Sequence, residues 1–344
     1  MSTLVPSFSS WTLSRPLPFA VVDPKVFQTG SHLHVLGSEV GSDSKCVVRT
    51  SKIDNGKNIN AWGNSNSILE ITHTEQSTAT DKAVYVMGGY SGFNKTKKVF
   101  AGFFDEGGSI TGWTEQPSMQ SFQTNAACIT HNNHVYALGG FINGSVTSKV
   151  STCKILEDGN LSEWDAARLL PVKLWGGNVF ITYNKFRQKY VLNVLGCTDH
   201  HKAYSQLYSA FINKDGTLTP WKKGNALPRT VSSTTLCVID NHVYTFGGIS
   251  NCHQTNSIYK AFISDNGELG VWDKAGVLPG KMSNNQVVLI KDSLYLVGGM
   301  YNNTPSRMVL TCNVTLKDTS VIPVKTKPVK VDLYLETRQP ELFS

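Results

Sequence analysis

Short apolar runs alternate with polar turns along the whole chain, and the runs recur in a fixed order. An apolar run opened by Val-Tyr or Leu-Tyr appears at Val84-Tyr85, Val135-Tyr136, Val243-Tyr244 and Leu294-Tyr295, each time ending at glycine. Before it lies another apolar run, such as Ala126-Ala-Cys-Ile129 or Thr235-Leu-Cys-Val-Ile239. After it comes an alternating run such as Ser257-Ile-Tyr-Lys-Ala-Phe-Ile263. Runs of this length with period-two alternation and turn residues between them predict β-strands.

The turns recur too. Tryptophans stand at 11, 62, 113, 164, 221 and 272, at intervals of 51, 51, 51, 57 and 51. Glycine landmarks follow each one: Gly37, Gly88-Gly89, Gly139-Gly140, Gly196, Gly247-Gly248 and Gly298-Gly299. Asn55-Gly56, Asp158-Gly159, Asp215-Gly216 and Asn266-Gly267 precede tryptophans and supply residues that tolerate a tight hairpin turn. Leu17-Pro18, Leu170-Pro171, Leu227-Pro228 and Leu278-Pro279 follow them. Each unit of about 50 residues therefore reads as four strands, which is the pattern of a propeller blade.

The double glycine after an apolar strand, with a tryptophan some way behind it, resembles the kelch-repeat family. The resemblance covers Trp11 to Asp318. It implies an all-β, six-bladed β-propeller with four antiparallel strands per blade. The tryptophan strand would be the outermost of each blade, so the N-terminal strand would close the last blade and remove the free sheet edges. Two units depart from the pattern, because Gly37 is followed by Ser38 and Gly196 by Cys197. The turn is expected to be kept there. The propeller is assigned to residues 1–319 and an extended C-terminal tail to residues 320–344. In the tail, Ile322 to Lys330 reads as a linker and Val331 to Glu336 as a strand that adds to a partner, the alternative being a disordered or self-packed tail.

The repeat also accounts for residue types that elsewhere suggest chemistry. Cys153 and Cys312 align with Gly102 and Ala261, so the position calls for a small residue. Cys128 and Cys237 fall at near-equivalent points of the strand before the Val-Tyr strand. Seven cysteines without a CxxC pair argue against a disulfide framework. His32, His134 and His242 all open the strand before the glycines, which points to a turn role.

Function is expected where the units differ. In kelch-like propellers, the loops after the glycines and those entering the inner strands share one face. Here they supply Tyr90, Asn94, Gln123, Phe141, Asn143, Trp175, Asn178, Asp199, His200, His201, His253, Asn284, Asn285, Tyr301 and Asn302 as candidate rim residues. Amides, hydroxyls and a few rings suit a glycan or a protein loop. Solvated loops are the bland alternative.

The cluster Cys197, Asp199, His200, His201, Cys252 and His253 holds metal-ligand types, but its spacing matches no zinc pattern. No metal site and no cofactor is expected. No nucleophile elbow, HExxH or phosphate loop is present. The kelch resemblance still leaves a sugar mutarotase as the alternative to a non-catalytic binding module, with Asp199 as its acid and His200, His201 and His253 as partners.

The segment Asp215-Gly-Thr-Leu-Thr-Pro-Trp221 resembles propellers of phage tail and bacterial surface proteins. A virion component, either receptor-binding or architectural, is a further expectation. A net charge of +7 without a run of five basic residues points to a solvated surface and not to nucleic acid. No leader-like segment and no apolar run of about 20 residues is seen, so the chain is expected to be made in the cytoplasm without a membrane span.

Overall fold

In the computed structural model, residues 4–38, 46–66, 76–91, 94–198 and 203–318 are described. The expected tail, with the strand at 331–336, lies outside them. The described residues form an all-β structure without a helix, built mainly of antiparallel sheets. No helix among them is long and apolar enough to cross a membrane.

Six larger sheets follow one another along the chain. The first holds Lys25–Thr29, His32–Ser38 and Cys46–Asp54, edged by Asn58–Ile59 and Gly63–Asn64. The second holds Ser77–Ala79, Ala83–Met87, Val99–Phe104 and Ile110–Gln116. The third holds Ala127–His131, His134–Leu138, Val150–Lys154 and Asp165–Ala166. The fourth holds Asn178–Asn184, Lys189–Thr198, Ala203–Phe211 and Lys222–Lys223. The fifth holds Thr235–Ile239, His242–Phe246, His253–Ile263 and Leu269–Ser283.

The sixth sheet joins the two ends of the chain. Gln286–Ile290, Ser293–Val297 and Val309–Asp318 come from the C-terminal side. Leu4–Phe8 and Thr12–Leu13 then pair with Val309–Asp318, with Phe8 opposite Val314 and Leu13 opposite Leu310. The expected pairing of first and last segments is therefore present.

The first strands of successive sheets touch in cyclic order, and that of the sixth touches that of the first. The core is divided in the same way. Each of six apolar clusters lies between two consecutive sheets. Phe27, Leu36, Val84 and Phe100 fill the gap between first and second. Leu17, Leu33, Tyr295 and Val297 fill the gap between sixth and first.

Three recurrent bonds cross these gaps, and each uses a residue that the repeat marks. The indole N–H of Trp113, Trp164, Trp221 and Trp272 donates to the carbonyls of Asn66, Pro117, Arg168 and Asn225, each in the preceding unit. The Tyr85, Tyr136 and Tyr295 hydroxyls donate to the carbonyls of Gly159, Gly216 and Gly56 in the next unit. Tyr244 donates to Pro6, on the N-terminal strand. The amides of Gly140 and Gly299 donate to Leu174 and Val21 in the loop entering the next sheet, and that of Gly248 to Met282 near the end of Leu269–Ser283, each at 2.7 Å.

The first glycine of the pair has its own reason. At Gly139 (φ +66°) an added Cβ would stand 2.3 Å from the Leu174 carbonyl oxygen, and at Gly247 (φ +62°) 2.4 Å from that of Met282. A left-handed turn this close to a neighbouring backbone admits only glycine.

Where the pair is incomplete, the expected turn is not kept. His32–Ser38 runs through Gly37 and stays paired to Cys46 opposite Ser38. Lys189–Thr198 runs through Gly196, with a bulge between Leu195 and Cys197, and stays paired to Ala203. With only one glycine the backbone does not reverse, and the two strands continue as a longer hairpin.

The cysteine expectation agrees with the core. Cys153 and Cys312 are buried in the apolar clusters, as is Ala261. Burial pushes the Cys128 and Cys237 thiols up to about 12, so both are inert at neutral pH. His32, His134 and His242 open their strands as expected.

Candidate binding face

Antiparallel strands send alternate connections to opposite ends of a sheet. The loops entering the first strands therefore share one face with the loops from second to third strands. The loops after the four double glycines have a common base. The second glycine's carbonyl accepts the N–H of Thr96, Thr147, Thr255 or Ser306 at 2.9–3.1 Å. That residue's hydroxyl accepts the N–H two positions on, from Lys98, Lys149, Ser257 or Met308 at 3.0–3.2 Å. Serine and threonine are suited to this local turn.

The tips share a geometry as well. Asn143 and Gly144, Asn251 and Cys252, and Asn302 and Asn303 have positive φ in succession. Two such residues make the tight turn that fits a twisted hairpin. Each loop is thus a small fixed hairpin whose remaining side chains are not equivalent between units.

Phe141 and Trp175 form a ring contact on this face, with centroids 5.3 Å apart. They come from the hairpin of the third sheet and the loop entering the fourth, and both are half-buried. Tyr90 is half-buried and begins its hairpin opposite Lys95. Tyr301 is half-buried and its ring lies against Gly280, where a Cβ would be 2.4 Å from the ring edge. Asn94, Asn143, His253 and Asn302 are exposed. The Asn302 side chain accepts the Lys281 N–H at 3.1 Å, and the His253 ring lies 2.7 Å from the Asn251 carbonyl.

Other candidates belong to the frame. Gln123 is fully buried; its amide donates to Gly139 at 2.7 Å and its side-chain oxygen accepts from Ser151 at 3.2 Å. Asn178 donates across to Thr234 at 3.0 Å. Asn284 has φ +51° and links three loops, its N–H donating to Ser233 and its carbonyl accepting from Asp23. Asn285 is buried, with neither side-chain amide atom hydrogen-bonded. Asp199, His200 and His201 lie outside the described residues, so the acid of the enzymatic alternative is not described. Among the described residues no cluster of three metal-ligand side chains occurs.

The sequence reading passed over two charged residues here. Asp23 and Lys25 form an ion pair at 2.8 Å where the chain enters the first strand. The Lys25 side chain is 17% exposed. It lines a cavity of about 540 Å³ with Gln28, Ser77, Thr78 and Gln286, from the first strands of three sheets, and Asp81, from the turn after Ser77–Ala79. The signal was in the spacing. Positions 23, 125, 176, 233 and 284 fall at intervals that match the tryptophans, and all have positive φ.

No family model matches the chain, and no curated protein matches it. The chain is similar to a solved structure titled "Structure of YjhT", with a TM-score of 0.68 over 89% of this chain and 100% of the other. The two are 11% identical, so the likeness concerns the fold alone.

Proposed function

We propose that the closed cycle is a six-bladed kelch-like β-propeller and that it works as a binding module for a glycan or a protein loop. The six inter-sheet clusters, the contacts between first strands and the pairing of Leu4–Phe8 with Val309–Asp318 support the six-blade reading. One observation carries the binding reading: four hairpins keep one hydrogen-bonded base while their tips differ in ring, amide and hydroxyl content. A rigid base under variable tips is how scaffolds present recognition loops. Half-buried rings beside amides suit a neutral polar ligand, with Phe141, Trp175 and Tyr301 as contact rings. A receptor-recognition part of a virion fits this reading, on the resemblance of the Asp215 to Trp221 segment.

A glycan array with the intact chain, followed by pull-down from cell envelope, tests it. Binding that Trp175→Ala abolishes supports the reading, and silence in both assays overturns it.

Lys25, which lines a polar recess and pairs with Asp23, favours a second reading, a sugar mutarotase, because mutarotation needs acid and base groups at such a recess. Faster anomer exchange by NMR, lost in Asp23→Asn, would support that reading.

A further inference from the structure

The repeat breaks its interval once, and the break builds a feature on the opposite face. Gly176 to Gly196 spans 20 positions, where the equivalent Asn125 to Gly139 spans 14. The extra residues lengthen the first hairpin of the fourth sheet. Its strands pair from Asn178 with Leu195 to Asn184 with Lys189, whereas the third sheet's hairpin ends at His131 with His134 after five pairs.

The longer hairpin is tied down beside its turn. The Lys185 N–H donates to the Asp265 carbonyl at 2.8 Å, and the Asn184 amide donates to Asn266 at 2.5 Å. The Asn184 side-chain oxygen accepts the Arg187 N–H at 2.7 Å. Held this way, Phe186 at the tip is 78% exposed. Tyr183 and Tyr190 stand opposite each other on the hairpin's two strands, 4.9 Å apart and 40% exposed each. Exposed aromatic rings grouped on a fixed hairpin mark an interaction site.

Charge identifies the occupant. The hairpin carries Lys185, Arg187 and Lys189 and no carboxylate; Lys185 pairs with Asp265 of the fifth sheet at 2.7 Å, which leaves Arg187 and Lys189 as its cations. Every other charged turn described on this face holds at least one, among them Asp81, Asp158, Asp215, Asp240, Asp265 and Asp292. These carboxylates would repel a polynucleotide laid across the face. A short segment with its own acids can place them at Arg187 and Lys189, on the side of the hairpin away from the Lys185–Asp265 pair.

We infer that the 178–198 hairpin docks an extended acidic protein segment, apolar side chains lying on Tyr183, Phe186 and Tyr190 and carboxylates facing Arg187 and Lys189. The site is separate from the loop-rich face and does not depend on the reading proposed for it.

The test is selection from a random-peptide display library against the intact chain, with counter-selection on the Phe186→Ser chain. Phe186 is mostly solvent-exposed, so that variant keeps its fold. The selected peptides are expected to place Asp or Glu around apolar residues. Their Kd should rise at least tenfold with Phe186→Ser and with Arg187→Glu/Lys189→Glu, and should rise with salt. Peptides without acidic residues, no peptide that depends on Phe186, or tighter binding of a 20-nucleotide oligo-dT would each overturn the inference.

Discussion

The Tyr136 hydroxyl donates to the Gly216 carbonyl at 2.8 Å, across 80 residues and from one sheet to the next. The tyrosine is fully buried, and burial holds its phenol protonated well above the usual range. Tyr85, Tyr244 and Tyr295 repeat the contact in other gaps. In the gap between fourth and fifth sheets Asn193 replaces the tyrosine and donates to Thr182, whose hydroxyl reaches Gly267 at 2.7 Å.

Tyr136→Phe should therefore destabilise the chain by about 1–3 kcal/mol, because the Gly216 carbonyl is left buried and unpaired. Urea denaturation followed by tryptophan fluorescence would read this as a lower midpoint with an unchanged slope. An unchanged midpoint would show that the bond contributes nothing.

The glycine pair should separate two costs. Gly139→Ala meets a backbone oxygen and a left-handed φ together, and should lose more than about 3 kcal/mol. Gly144→Ala has φ +81° but nothing within 4 Å, and should lose only about 1–2 kcal/mol. Equal losses would contradict the role given to Gly139 at the sheet interface.

The first sheet places His34 where other units carry tyrosine. It is fully buried between Thr29 and Thr50, at 2.6 and 2.9 Å. The Thr29 hydroxyl donates onward to Gly108, so the neutral ring donates from Nε2 to Thr29. Burial, with His32 nearby, lowers the His34 pKa to about 4. Its contribution is present in full above the unfolded value near 6.5 and is lost as pH falls through the folded value. The loss by pH 4 is on the order of 3 kcal/mol. His34→Tyr should flatten that acid limb, measured as urea midpoints at pH 7.5 and 4.5. An equally steep loss in the variant would move the cause elsewhere.

On the loop-rich face, Phe141→Ala and Tyr301→Ala should weaken any captured ligand at least tenfold while leaving the thermal midpoint within a few degrees. Asn143→Gly should leave affinity nearly unchanged, because the turn requires positive φ at that position. Isothermal titration with the captured ligand measures all three.

Much of the frame was legible because each unit repeats its turn residues at the same spacing. Trp113, Gly139 and Asp215 could be read as landmarks without knowing what they touch. Their partners could not be read. Asn66, Leu174 and, at the Asp215-Gly216 turn, Tyr136 lie in neighbouring units, and no local pattern joins them. Gln123 looked like a surface amide because it sits in a polar loop, yet it is fully buried beneath the third sheet's hairpin. Asn284 and Asn302 looked like ligand contacts, but their types are accounted for by left-handed backbone at a loop and a hairpin tip. Asp23 and Lys25 went unnoticed because Asp23 is the one acid at its repeat position among the described residues, where Asn125, Gly176, Ser233 and Asn284 are neutral.

The two ends of the chain close the cycle of sheets. Ser7 and Thr315 face each other on the paired strands, with hydroxyls 2.9 Å apart. The most direct test is disulfide formation in Ser7→Cys/Thr315→Cys, followed by peptide mapping. Near-complete cross-linking of the folded chain, little in urea, and a raised thermal midpoint are expected. A folded variant in which these two cysteines stay reduced, or pair elsewhere, would contradict the closed ring.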